Sequence, residues 1–400
     1  MASSPPLDEE VCIGLLHYSS DESVDEWAGN GAAGEDDGSD GGGSDSSEAH
    51  SAPLAPPEHD LPSPPDRLCD PTDPRYSVQR IPFSSLSVAD FRRRVHDERV
   101  PLIITGLGPH IAPRGFDART LRAALPDGLV LPIRGRGAME ASEFWTRYAA
   151  GERVYLADVP IARHAPWLYS LFRVPRYFLH CFSHRTRRPL SIAHDTPAIF
   201  ISTASTASAL HVDQMCSNFW MYLGEGRKHW VTFHPDDTRL LSPTWDDAEQ
   251  IHRFLPIAEL EADADKAAQL HRARRVEFTL CAGEVLYIPR GTPHEVTNLS
   301  ATTAVSANFL DQSNVAETLA QGRAKLERRD PASARYANLA ATLDALDEID
   351  WPDLDADVAD DERGVLAGEQ MVGCFAAHER IKTSRPVTLR PPDPECCHDC

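Results

Sequence analysis

Eight short runs of β-type residues crowd between Ala198 and Leu310: AIFISTAS, LHVDQ, NFWMYLG, KHWVTFH, RRVEFTL, EVLYIP, HEVTNLS and TTAVSANFL. Each is long enough for one strand and turn residues separate them, so the pattern predicts a compact β barrel or sandwich. The polar stretch from Asp236 to Arg274 interrupts the series and reads as a loop with one helix, ELEADADKAAQLH.

Order begins near Tyr76. SVQRIPFSSLS suits a short strand, Ser87 is placed to cap a helix VADFRRRVHDE, and VPLIITGLG reads as a buried strand. A helix from Ala141 (ASEFWTRYAAG) and the aromatic segment APWLYSLFRVPRYF follow. Residues 76–197 thus read as strands and helices supporting a barrel core over 198–312. Val315 to Arg329 and Ala334 to Asp347 have helical spacing and meet at Asp330-Pro331, making 313–350 a helical segment. Such helices suit either a homodimer contact or packing onto the barrel. Residues 1–75 contain GEDDGSDGGGSDSSE and SAPLAPPEHDLPSPPD, with too little apolar surface to offset chain entropy, and read as a disordered acidic tail. Residues 351–400 read as a second, loose acidic tail.

The formal net charge of -22 argues against generic affinity for nucleic acid, which depends on Lys and Arg displacing counterions, and fits a basic partner better. Much of that charge sits in the tails. No apolar run is long enough to span a membrane, and MASSPPLDEE lacks the basic and apolar regions of a secretory leader. The nine cysteines, six of them scattered and three (Cys396, Cys397 and Cys400) at the C-terminal end, suit a reducing compartment, so the expectation is a cytoplasmic or nuclear protein.

Chemistry concentrates in two places. In His211-Val212-Asp213 an imidazole and a carboxylate stand two residues apart in a β-type run, so both can project to one face and meet one cation. Such triplets arise by chance in many proteins. The second place is GEVLYIPRGTPHEVTN, where turns at Gly283 and at Pro289 with Gly291 bracket a strand and return His294 across the barrel. Two imidazoles and a carboxylate leave one face of an octahedral ion open, which suits ferrous oxygenases; Zn²⁺ or Mn²⁺ could use the same ligands.

The stretch Gly283 to Asn298 resembles the second cupin motif, with Gly283, Pro289, Gly291, His294 and Asn298 in place. With His211 and Asp213, the chain is similar to the JmjC-domain oxygenases from about Tyr76 to Asn308. In motif spacing it is nearest the subgroup of the bifunctional arginine demethylase and lysyl hydroxylase. The resemblance implies a mainly β fold, a double-stranded β-helix (cupin or jelly-roll) barrel with flanking helices. It also implies Fe(II) at His211, Asp213 and His294, with 2-oxoglutarate and O2 as co-substrates. GEGRKHW falls where that subgroup has a lysine gripping the distal carboxylate of 2-oxoglutarate, and the matching residue is Lys228. A buried cation is costly, and an anionic ligand gives it a reason. Ser208 matches a family threonine that binds the same carboxylate, and Ser306 and Asn308 fall on positions lining the pocket. Met221 departs from the pattern: the subgroup has an asparagine there, and Asn218 is the nearest replacement.

The function expected is hydroxylation or demethylation of a protein side chain, a basic one being favoured. RNA or small-molecule hydroxylation, and a non-catalytic metal-binding cupin scaffold, are the alternatives. Cys216 reads as a buried inert thiol. Cys396, Cys397, His398 and Cys400 lack a second ligand pair at zinc-finger spacing. The groups Arg185, Arg187, Arg188 and Arg272, Arg274, Arg275 read as solvated surface.

Overall fold

Every described central strand alternates between two environments, and that alternation builds the molecule in layers. The structure is a computed structural model, describing residues 76–178, 181, 196–246, 250–349 and 371–373. The strands that organise it are β1 (Gln79–Pro82), β2 (Leu102–Thr105), β3 (Tyr155–Pro160), β4 (Ala198–Ser202), β5 (Ala207–His211), β6 (Asn218–Glu225), β7 (Arg227–Phe233), β8 (Arg275–Cys281), β9 (Val285–Ile288), β10 (His294–Asn298) and β11 (Thr302–Phe309).

A seven-stranded sheet runs β1-β2-β9-β6-β11-β4-β3 and a four-stranded sheet runs β8-β7-β10-β5. All pairs are antiparallel except β1 with β2. The eight strands β4 to β11 divide equally between the sheets, which is the double-stranded β-helix expected. Inward residues of both sheets, among them Phe219, Met221, Leu286, Trp230, Phe278 and Val296, form one core between them.

The outer faces are covered as well. Trp220, Tyr222, Val285, Tyr287, Val305 and Phe309 point away from the barrel into a second core, which includes Phe91 and Val95 of α1 (Val88–Asp97). Ser87 starts α1 as its cap, its Oγ accepting from the Asp90 N–H at 2.9 Å. On the far side of the small sheet, Val231 and Phe233 pack against Ile257 and Leu260 of α2 (Ile257–Ala262) and Leu270 of α3 (Ala264–Leu270). Two helices and a two-stranded ribbon, Thr244–Asp246 with Ile251–Arg253, therefore replace the single helix expected in this stretch. Asp263 causes the break, since its Oδ1 accepts from the N–H groups of Asp265 and Lys266 at 3.0 and 3.1 Å and starts a new helix.

After the barrel, α4 (Val315–Arg328) and α5 (Ala334–Asp347) pack together and onto the chain's main core through Leu339, Leu343 and Leu346. Arg274 is not solvated surface: its guanidinium holds the fully buried Asp237 through Nε and Nη2 at 2.8 and 2.9 Å. Arg275 pairs with Glu261 and Glu277. The acidic tail 1–75, the arginines at 185, 187 and 188 and the terminal cysteine group lie outside the described residues. Of the segment 351–400, only Met371–Gly373 is described, and it is a strand paired with Arg173–Pro175 rather than loose chain.

The β6–β7 turn depends on Gly226, which has φ +85° and would place an added Cβ 2.0 Å from the Ala301 carbonyl oxygen. Gly226→Ala combines a left-handed backbone with a clash against main chain, and should lower unfolding free energy by about 2–4 kcal/mol. Urea denaturation reads this directly.

Candidate metal and co-substrate site

β5 and β10 are neighbours in the small sheet, and their ladder places His211 opposite His294. The two rings lie 4.2 Å apart between centroids. The ladder stops at His211, but Asp213 keeps an extended backbone (φ −62°, ψ 138°), so residues two apart still share a side. One ligand atom from each of His211, Asp213 and His294 lies within 4.8 Å of the others, and His211 Nε2 is 3.8 Å from Asp213 Oδ1.

The turn after Asp213 is strained and clamped. Met215 and Cys216 have φ of 57° and 48°. The Thr318 hydroxyl donates to the Met215 carbonyl at 2.7 Å, and Asn314 Nδ2 donates to those of Cys216 and Phe309 at 2.9 and 3.1 Å. The first turn of α4 thus holds the segment that aims the carboxylate.

Backbone carbonyls also orient both imidazoles. His211 Nδ1 is 2.7 Å from the Ala209 oxygen and His294 Nδ1 is 3.0 Å from that of Thr292. A carbonyl only accepts, so each Nδ1 is the donor and each Nε2 is the nitrogen left to face a cation. Burial, reinforced by the neighbouring His294, holds His211 well below the ordinary imidazole pKa and keeps it neutral. Two imidazole nitrogens and a carboxylate oxygen on one side fit a divalent cation with open positions.

Two cavities meet at Asp213. The narrow one, about 60 Å³, runs into the barrel past His211 and His294 to Lys228. The wider one, about 430 Å³, lies toward the ribbon and α4, between Trp245, Phe254, Arg290 and Glu317. Lys228 is 1% exposed; its Nζ donates to Asn298 Oδ1 at 2.7 Å and lies 5.7 Å from the ring centroids of Tyr155 and Phe200. Burial lowers its pKa.

Ser208 lines the narrow cavity although it stands three residues before His211, which in a regular strand would face it the other way. The β5–β10 ladder shifts register between His294 and Val296, leaving one extra residue in β5. That bulge turns Ser208 and His211 to the same side while Leu210 packs outward. Asn308 lines the cavity as well, donating to Ser217 Oγ at 2.9 Å.

Ser306 does not line it. Met221, opposite Ser306 in the β6–β11 ladder, is larger and forms that wall. Nor does Asn218 replace the asparagine missing at Met221. It lies on the outward face of β6, where Oδ1 accepts from Tyr287 Oη and the Arg290 N–H at 3.2 and 3.0 Å. Cys216 is buried, and burial pushes its thiol up to about 12, so it stays protonated. Sequence reasoning missed Tyr155 and Arg134. Both line the narrow cavity, and neither lies in a recognisable motif.

Residues 136–314 match the family described as Cupin-like domain. The curated relatives include Arginine-specific demethylase JMJ22 of Arabidopsis thaliana, 28% identical over 61% of this chain and 48% of that protein. Bifunctional arginine demethylase and lysyl-hydroxylase psr-1 of Caenorhabditis elegans is 23% identical over 64% of this chain and 67% of that protein. HSPB1-associated protein 1 of Homo sapiens is 32% identical over 28% of this chain and 22% of that protein. The chain therefore carries a cupin-like domain over residues 136–314, is similar to these demethylases, and spans about half the length of the Arabidopsis one.

Because a cation that binds only the folded triad stabilises the fold by linkage, Mn²⁺ should raise the melting temperature of the intact protein. His294→Ala should weaken Mn²⁺ binding by about a hundred-fold or more and abolish the shift at the same concentration. Thermal melts with and without metal check both.

Proposed function

We propose that the chain is an Fe(II)- and 2-oxoglutarate-dependent oxygenase that hydroxylates or demethylates a protein side chain. The observation that carries this reading is Lys228, a fully buried cation with no carboxylate partner among the described residues, facing the cavity that opens on His211, Asp213 and His294. A charge so placed is costly unless an anion meets it. An acid with one carboxylate for Lys228 and a chelating end for the metal satisfies both ends of the cavity.

Ferrous iron in this ligand set, supplied with 2-oxoglutarate and O2, provides oxidation of a C–H bond coupled to release of succinate and CO2. The protein's own residues do the rest. His211, Asp213 and His294 hold the cation from one side. Lys228 and the Ser208 hydroxyl receive the far carboxylate, and Asn308 offers a polar group from the opposite sheet. Phe219, Met221 and Trp230 line the space between, limiting the water that could compete there. The wider cavity reaches Asp213 from outside the barrel and is where a substrate side chain would approach the metal. Hydroxylation of an N-methyl carbon yields a product that loses formaldehyde, so both outcomes need only one site and two substrate poses. The similarity to an arginine-specific demethylase of Arabidopsis and a bifunctional arginine demethylase and lysyl-hydroxylase of Caenorhabditis supports a protein substrate.

Purified protein with Fe²⁺, 2-oxoglutarate and O2 should form succinate above its uncoupled background with peptides bearing lysine, arginine or their N-methyl forms. Mass spectrometry should then find an added oxygen or a lost methyl group. Lys228→Met should raise the KM for 2-oxoglutarate about ten-fold or more, the loss expected for a charge-assisted hydrogen bond. Turnover with RNA alone would replace the protein substrate, and no turnover with any class would leave a metal-binding scaffold.

A further inference from the structure

The narrow cavity holds a second cation that the proposed function does not use. Arg134 follows a strand, Val130–Ile133, and its backbone N–H donates to the Tyr155 carbonyl at 3.0 Å, which ties it to β3. Its guanidinium carbon lies 5.2 Å from the centroid of the Tyr155 ring, the ring that Lys228 Nζ approaches at 5.7 Å. Its Nη1 donates to Ser208 Oγ at 2.9 Å. Among the described residues two acids line the cavity, Asp213 in the triad and Asp158, and neither Arg134 nor Lys228 is paired with a carboxylate.

Two consequences follow from the chemistry of these groups. A serine hydroxyl has one proton and two lone pairs, so accepting from Arg134 leaves Ser208 its proton, which the neighbouring Tyr155 oxygen or an entering anion can accept. Arg134 also places a second cation, a guanidinium beside the Lys228 ammonium, on this part of the cavity wall. The Tyr155 phenol reports that field. Burial raises its pKa, yet the two cations together with hydrogen bonds to Ser208 and Asn298 bring it below the ordinary value.

We infer that Arg134 is a specificity-determining residue: it orients Ser208 as a donor and adds the second positive charge that makes the cavity prefer 2-oxo acids carrying a distant second carboxylate. The inference rests on 2-oxoglutarate being the co-substrate. It acts on binding, partly through Ser208, and is separate from the metal ligands.

The test is calorimetry on the Mn²⁺-loaded full chain, where no turnover occurs, with 2-oxoglutarate and with 2-oxopentanoate, which has the same chelating end and no second carboxylate. Arg134→Met should weaken 2-oxoglutarate about ten-fold or more and leave 2-oxopentanoate unchanged, narrowing the ratio between them. Arg134→Lys, which restores a cation, should recover much of the ratio. Equal losses for both acids would mean that Arg134 only supports the fold, and no loss for either would remove it from the site; both overturn the inference. If the unmutated protein fails to bind 2-oxoglutarate while still binding Mn²⁺, the proposed function itself falls.

Discussion

The chemistry of this protein hangs on the register of one pair of strands. Residue His211 at the end of β5 stands opposite His294 at the start of β10, and only in that register do two imidazoles meet on the inside of the barrel. Side chains along a strand alternate strictly, so a slip of one residue would send an imidazole into the outer layer with Leu210 and Val231. The bulge in β5 adds a second constraint, because it alone brings Ser208 round to the face of His211. The large apolar residues on both faces of both sheets hold that register, since slipping any strand would exchange its inward and outward sets.

A second dependence links the candidate metal site to the helices after the barrel. Asp213 has no ladder to hold it, and the turn beyond it passes through two left-handed residues. Asn314 and Thr318 supply the missing hydrogen bonds to the Met215 and Cys216 carbonyls, and Arg290 pairs with Glu317 through Nε and Nη2 at 2.8 and 2.9 Å. Gly322 lets α5 approach α4 closely, as any Cβ there would fall 2.4 Å from a Leu343 methyl. The C-terminal helices are thus part of the scaffold that aims a ligand.

Much of this was legible in the sequence, for identifiable reasons. Short β-type runs separated by turn residues marked all eight barrel strands, although β5 begins at Ala207, before the LHVDQ run, and the spacing from Gly283 to His294 announced a strand returning an imidazole. What was hidden depended on contacts between distant segments. Arg134 and Tyr155 precede the triad by more than half a hundred residues of chain and reach the cavity only because β3 pairs with β4 beside β11. Asn218 misled because it sits an odd number of residues from Met221, which on a strand means the opposite face. Ser306 occupies the correct face, but its larger ladder partner Met221 lines the cavity instead. The break at Asp263 was readable as a cap and was passed over within a polar run.

The central claim is that His211, Asp213 and His294 hold a ferrous ion that 2-oxoglutarate chelates from the open side, with Lys228 gripping its far end. Anaerobic titration of Fe²⁺-loaded protein with 2-oxoglutarate tests this most directly, because bidentate chelation produces a weak visible charge-transfer band. The band should appear and saturate in the unmutated protein and be missing in His211→Ala. Folded, iron-loaded, unmutated protein that gives no band at saturating 2-oxoglutarate would contradict the account.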